Sequence, residues 1–323
     1  MNSDKFDTKI AEARELIKNN AKEWAPRYNE YAKKIIENIP KIKKRKKLFN
    51  EWEPLYIYMN VTEATKDTSS TFNLRFNGQS VADLKFNGGK IILNVGRRDQ
   101  KSNKTYFGVD LQKCSEFHWR SPEAEQFRKF FSTCTRYGRS LEHTLESKLL
   151  SELEKNSKIN KDEFLHNIQP VKIAKTICRF QMPTPLKASG NAGLEYSGEK
   201  GGGIDILARI GTGRGTSLCI MELKKEAKSP DTVMSQVLAY AVFIQELLDS
   251  ESGPAWSKIF GFKKSLNKSA LTVCSVMPSS KMQQVFHEKI DIPTELGLLK
   301  LRYMNIHKDW NKIFKILNTN ILQ

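Results

Sequence analysis

The rhythm of apolar and polar positions changes along the chain, and each change predicts a different kind of element. Through residues 3–39 the apolar side chains recur at helical spacing: Ile10, Ala13 and Ile17, then Trp24, Tyr28, Tyr31 and Ile35, with a break at Asn19 and Asn20. From 55 to 111 the period falls to two. Phe72, Leu74 and Phe76 alternate with polar residues, as do Leu84 and Phe86, then Ile91, Leu93 and Val95. The dipeptides Asn77-Gly78 and Asn87-Gly88 are hairpin signals, so this stretch is expected to form an antiparallel meander of about four or five strands. Ser121 and Pro122 then open a helix expected to turn Phe127, Phe130 and Phe131 inward.

Helix and strand periods mix in the second half. Residues 141–154 form a helix whose Glu146 shares a stripe with Leu149, Leu150 and Leu153, with Glu142 one turn earlier. Residues 171–182 read as a strand ended by Pro183 and Pro185, and 187–203 as a Gly-, Ser- and Asn-rich loop over the active face. Residues 204–210 and 218–224 read as alternating strands around Gly211-Thr212-Gly213-Arg214-Gly215-Thr216, a hairpin turn. Ser229, Pro230 and Asp231 start a helix with its buried stripe at Val233, Val237, Tyr240, Ile244 and Leu248. A strand at 270–277, a helix at 281–288, a strand at 298–306 and a final helix carrying Trp310, Ile313, Phe314 and Leu317 complete the chain. Residues 139–323 thus read as an α/β domain, a mixed sheet flanked by helices. Residues 1–138 read as an α+β domain, a helical segment followed by the meander, with the boundary at Thr135 to Arg139.

The hairpin carries the chemistry. A turn symmetric about Gly213 and Arg214 sets Asp205 opposite Glu222, and Lys224 follows two residues on, on the same face. The other face is apolar, with Ile204, Ile206, Ala208 and Ile210 against Cys219, Met221 and Leu223. Two adjacent carboxylates repel unless a cation joins them, and a hard ion such as Mg²⁺ suits them because it accepts carboxylate oxygens, waters and substrate phosphate. A neighbouring lysine can stabilise charge that develops on phosphate. Gln236 falls among Val233, Val237 and Tyr240, which points an amide into the packed side, where it needs a partner. Glu146, on an inward stripe, needs one as well.

The succession Gly203-Ile204-Asp205, then Glu222-Leu223-Lys224, resembles the core of the PD-(D/E)xK (restriction-endonuclease-like) nuclease superfamily, over the C-terminal half only. Gln236 and Tyr240 spell the QxxxY motif, similar to that of the RecB-type exonuclease branch. The resemblance implies a Mg²⁺-dependent nuclease, with Mn²⁺ able to substitute. Asp205, Glu222 and the backbone carbonyl of Leu223 would be metal ligands, joined by Glu146, with Glu142 as the fallback. Lys224 would be the catalytic lysine, and Gln236 and Tyr240 would shape the site. It implies DNA rather than RNA as substrate, endonuclease rather than exonuclease action, and service in restriction, phage defence or repair.

Composition agrees with a polyanionic partner. Lys and Arg number 53 against 36 Asp and Glu, a net charge of +17, with a surplus in both halves. The densest run, Lys41, Lys43, Lys44, Arg45, Lys46 and Lys47, is a candidate contact to a phosphate backbone, or else a solvated face. Trp119 and Arg120, with Arg97 and Arg98, form a weaker candidate clamp. The five cysteines are scattered without a CxxC pair, against structural zinc or a disulfide framework. The five histidines are equally dispersed, so each reads as core or surface. No apolar run approaches membrane-spanning length and the first residues lack a signal-peptide pattern, so a cytoplasmic location is expected. A binding protein on an idle nuclease scaffold, a sensor-effector triggered by a ligand or protein at the N-terminal domain, and a homo-oligomer all stay open.

Overall fold

The computed structural model describes residues 3–44, 54–62, 72–87, 90–95, 105–110, 116–134, 141–159, 167–189, 193–226, 230–279, 289–309 and 316–319. Helices α1 (Ser3–Asn19) and α2 (Ala21–Lys44) meet at Asn20, where the break was expected. There the Asn20 amide donates to the carbonyl of Leu16 at 2.8 Å. The buried side of α2 carries Trp24, Tyr28, Tyr31, Ile35, Ile39 and Ile42, the predicted stripe extended by two turns.

The meander is present. Strands β1 (Tyr56–Met59), β2 (Phe72–Phe76), β3 (Gln79–Asn87) and β4 (Lys90–Asn94) pair antiparallel in sequence order. Strands β5 (Thr105–Tyr106) and β6 (Val109–Asp110) make a small ribbon, and β7 (Glu116–His118) adds to β4. Asn77 and Gly78 both hold positive φ, at 48° and 78°, as a tight hairpin turn requires. In α3 (Pro122–Thr133) the Ser121 hydroxyl accepts from the amide of Ala124 at the N-terminus. Phe127 and Phe131 are buried, but Phe130 is 37% exposed, because neighbouring positions 130 and 131 point about 100° apart on a helix. Trp119 is no stacking platform either: it is buried, with the Arg128 guanidinium 4.3 Å above its ring.

The second half begins with α4 (Leu141–Ile159) and β8 (Ile168–Pro170). The single strand expected over 171–182 is broken by Ala174 and Lys175, both at positive φ, leaving β9 (Arg179–Phe180) and β10 (Met182–Pro183). The expected loop over 187–203 is largely a hairpin, β11 (Leu186–Ser189) with β12 (Gly193–Tyr196), followed by β13 (Gly203–Ile204). Next come β14 (Ile206–Ile210), β15 (Ser217–Leu223), α5 (Pro230–Asp249), α6 (Gly253–Ile259), β16 (Leu271–Ser279), β17 (Ile290–Thr294), β18 (Gly297–His307) and β19 (Ile316–Thr319). Leu317, expected in a terminal helix, lies in β19, which pairs with β18. The helix expected over 281–288, the remaining terminal-helix positions, the Ser229 cap and the boundary at Thr135 to Arg139 lie outside the described residues.

These strands build a mixed sheet ordered β17-β18-β16-β15-β14-β8, with β19 also on β18. Strands β15, β16 and β18 run parallel, while β8, β14 and β15 are antiparallel neighbours. A parallel return from β15 to β16 needs a crossover, which α5 and α6 supply. The sheet is covered on both faces. Leu145, Leu149, Leu150 and Leu153 of α4 pack on Ile206, Ala208, Cys219, Met221 and Leu223. The opposite face buries Leu207, Leu218 and Ile220 with Val233, Val237 and Ile244 of α5. The second face of the hairpin, expected to be polar, is therefore polar only at its end, because α5 covers the rest.

Helices α1 and α2 pack on α5 and α6 rather than standing apart with the meander. Trp24 and Tyr28 meet Phe243 with ring centroids 5.6 and 4.9 Å apart, and the Trp256 indole donates to the Tyr28 carbonyl at 3.2 Å. Strand β1 pairs in parallel with β9, so the meander sheet takes a strand from the second half. One apolar core runs continuously through both sides of the expected division at 138. No helix among the described residues is long and apolar enough to cross a membrane.

Candidate active site

Strand register decides which side chains meet. Ile206 pairs with Met221, Leu207 with Ile220 and Ile210 with Ser217, the symmetric register that the turn predicts. Asp205 occupies the bend between β13 and β14, and its Oδ2 accepts the Leu223 amide N–H at 2.8 Å. That bond fixes the carboxylate against the last residue of β15, beside Glu222. Lys224 follows directly, its own amide donating to the Val276 carbonyl on β16.

Glu222 is 3% exposed and the most heavily bonded of the group. Its Oε1 accepts from the Lys224 ammonium at 2.7 Å and from the Gln236 amide at 2.5 Å. Among the described residues its Oε2 is buried without a partner. The amide that the sequence placed on the packed side of α5 thus finds its partner in the glutamate. Tyr240, one turn further along α5, is buried close by, and a side chain on Gly202 would come within 2.5 Å of its hydroxyl. Burial, followed by the charge of Glu222, raises the Tyr240 pKa.

Helix α4 brings further acids from the other face of the sheet. Glu142 lies 3.4 Å from the Lys224 ammonium. Glu146 is buried, as its stripe predicted, and its Oε2 stands 3.6 Å from Nδ1 of His143. That histidine read as core or surface, and only its place one turn before Glu146 could have marked it. The Glu146 carboxylate, by hydrogen bond and charge, raises the His143 pKa.

The electrostatics follow from crowding. Burial pushes the Glu222 carboxyl up to about 7 against the pull of Lys224, with Glu142 and Glu146 adding to the push. Burial and then the charge of Glu222 hold Asp205 well above the usual carboxylate range, despite the Leu223 N–H. Burial works against the Lys224 ammonium, but Glu222, Glu142 and Asp205 outweigh it and its pKa rises. Among the described residues the site therefore carries more acid than Lys224 can neutralise, while one glutamate oxygen finds no partner.

Asp205, Glu222, Lys224, Gln236, Tyr240 and the main chain of Leu223 are gathered at one end of β14 and β15, with Glu142 and Glu146 beside them. The basic run does not join them. Lys41, Lys43 and Lys44 are exposed on the last turn of α2, and Arg45, Lys46 and Lys47 lie outside the described residues. Glu195 and Glu199 make pairs elsewhere, with Lys187 at 3.3 Å and Arg27 at 3.8 Å.

Among the described residues, no three His, Cys, Asp or Glu side chains stand close enough to hold a metal ion by themselves. Zinc or calcium would ask for more protein ligands, whereas Mg²⁺ is commonly held by one or two carboxylates plus water and substrate phosphate. The partnerless Oε2 of Glu222 and the raised pKa of both carboxyls fit such an ion. No family model, curated protein or solved structure matches this chain.

Proposed function

We propose that the protein is a metal-dependent nuclease that hydrolyses phosphodiester bonds, with a restriction-endonuclease-like core formed by α4, β8, β14, β15, α5 and β16. The observation that carries this reading is the convergence of Asp205, Glu222 and Lys224 at the end of one hairpin, with Gln236 of α5 bonded to the same glutamate. The order helix, three antiparallel strands, crossover helix, parallel strand supports it as well.

Asp205 and Glu222 would hold a Mg²⁺ or Mn²⁺ ion, with Glu146 near enough in charge to affect both. A bound divalent ion would supply Lewis-acid polarisation of a phosphoryl oxygen. The chain's own residues do the rest. Lys224 stays protonated between Glu222 and Glu142, and presents an ammonium where phosphate charge grows. Gln236 fixes the rotamer of Glu222 through Oε1, which leaves Oε2 without a partner among the described residues. Tyr240 packs against Gly202, so α5 and the glycine segment stay in register. DNA is the expected substrate through the superfamily resemblance, with RNA as the comparison.

The test is cleavage of plasmid DNA and of RNA in Mg²⁺, in Mn²⁺ and in EDTA. Cleavage is expected with either metal and not with EDTA. Asp205→Asn, Glu222→Gln and Lys224→Met should each slow it about 100-fold or more while the circular dichroism spectrum stays unchanged. Undiminished cleavage in any variant removes that residue from the site. Absence of cleavage with either metal would favour a binding protein on an idle scaffold or a sensor-effector that awaits its trigger.

A further inference from the structure

A pocket of about 260 Å³ lies between the end of β1, the middle of β2 and the Gly201–Gly203 segment that leads into Asp205. Its polar lining comes from Asn60, Thr62, Arg75, Gln181 and the glycine backbone, and its apolar lining from Met59, Val61 and Pro183. Among the described residues, its lining has one cationic side chain and no acid.

Arg75 is unusual in its surroundings. A register shift between Leu74 and Arg75 in the β2–β3 ladder re-aims the side chain. The guanidinium stacks over the Tyr58 ring, 4.3 Å from its centroid, which fixes its plane. Its Nε is buried without a hydrogen-bond acceptor, and among the described residues no carboxylate pairs with it. A planar fork so held matches the oxygens of a phosphate.

The opposite wall has to be glycine. A Cβ at Gly201 would stand 1.9 Å from the Thr184 carbonyl oxygen, and one at Gly202 would stand 2.5 Å from the Tyr240 hydroxyl. The main chain therefore runs tightly from the pocket to the candidate site, with only Gly203 and Ile204 between Gly202 and Asp205. Gly203, which lines the pocket, is two residues from Asp205 along the chain.

We propose that this pocket receives a nucleoside phosphate, its phosphate paired with Arg75, its base or sugar against Met59, Val61 and Pro183, and its polar edge at Gln181. This rests on the nuclease reading for its natural source, a nucleotide of the substrate strand next to the cleaved bond. A free mononucleotide offers the same chemistry, and the experiment separates the two.

Binding of a short fluorescein-labelled single-stranded DNA is measured by anisotropy in EDTA, with dAMP and inorganic phosphate as competitors. Arg75→Gln should weaken DNA binding about tenfold and take roughly one unit from the slope of log affinity against log salt. Gln181→Ala should weaken it with the slope unchanged, and it leaves the Arg75–Tyr58 stack intact should the first variant fold poorly. Competition by dAMP in the wild type, lost in Arg75→Gln, assigns the pocket to a free nucleotide. No competition, with DNA binding still dependent on Arg75, assigns it to the strand. Wild-type binding of neither probe, or both folded variants binding like wild type, overturns the proposal. Because no metal is present, a protein that binds but never cleaves loses the hydrolase reading and keeps the pocket. One that cleaves while both variants bind normally does the reverse.

Discussion

At the scale of single residues the site is a problem of excess negative charge, and pH exposes it. Glu222 is lifted to about 7 by burial, against about 4.5 when unfolded, and Asp205 is raised by the same cause. A carboxyl whose folded pKa exceeds its unfolded value binds more protons in the folded state between those limits. Its contribution is therefore complete below the unfolded pKa and is lost as pH rises through the folded one. For Glu222 the loss is on the order of 3 kcal/mol. In EDTA, urea unfolding should show the protein less stable at pH 8 than at pH 5, and Glu222→Gln should flatten the curve. Added Mg²⁺ should stabilise the wild type at pH 8 more than at pH 5. A wild-type curve no steeper than that of Glu222→Gln would exclude this account. The meeting of Asp205 with Glu222 was legible in the sequence, because a glycine-rich turn fixes register and register fixes opposite pairs. The meeting of His143 with Glu146 and the stacking of Arg75 on Tyr58 were not. They depend on how separate elements pack, and no local period records that.

At the scale of elements, legibility follows how completely each segment's burial imprints a period. Helix α5 was visible because Val233, Val237, Tyr240 and Ile244 face a core, and β16 because it is buried on both sides. Strand β17, which has one buried residue, Ile292, between two exposed ones, was missed, and the break at Ala174 and Lys175 needs positive φ at residues that rarely adopt it. What orients α4 is also non-local. Glu154 accepts from Nε of Arg179 at 2.9 Å and lies 3.3 Å from the Lys172 ammonium, and the Arg179 guanidinium stacks 3.6 Å above Tyr56. This partly buried pair ties the helix bearing Glu146 to β9 and to β1 of the meander. Arg179→Met is expected to cost about 1–3 kcal/mol, since it removes the bond to Glu154 and the stack on Tyr56 while Lys172 keeps the carboxylate paired. Equilibrium urea denaturation measures it, and a loss under about 0.5 kcal/mol would mean that the tie does not hold α4.

At the scale of the whole molecule, the expected division at residue 138 contrasts with a core that ignores it. The sequence suggests two units because its period changes from helix to meander and back. Periodicity reports what each segment buries, however, and not against which partner. Trp24 and Tyr28 of α2 close over Phe243 of α5 and Trp256 of α6, and Arg14 of α1 lies 3.2 Å from Glu246. Each large apolar side chain so buried is worth about 1.5–3 kcal/mol, and domains have only about 5–15 kcal/mol of net stability. Losing the handful on α2 would take a comparable amount. A chain of residues 141–323 alone should therefore fail to unfold cooperatively and should aggregate through the uncovered faces of α5 and α6. Supplying residues 1–44 as a separate peptide should recover part of the transition, since the contacts are surface to surface. A sharp thermal transition for 141–323 within a few degrees of the full chain would show that α1 and α2 are an ornament on an independent fold. Because Gln236 and Tyr240 sit on the helix these two cover, the same experiment asks whether the N-terminal helices keep the glutamine aimed at Glu222.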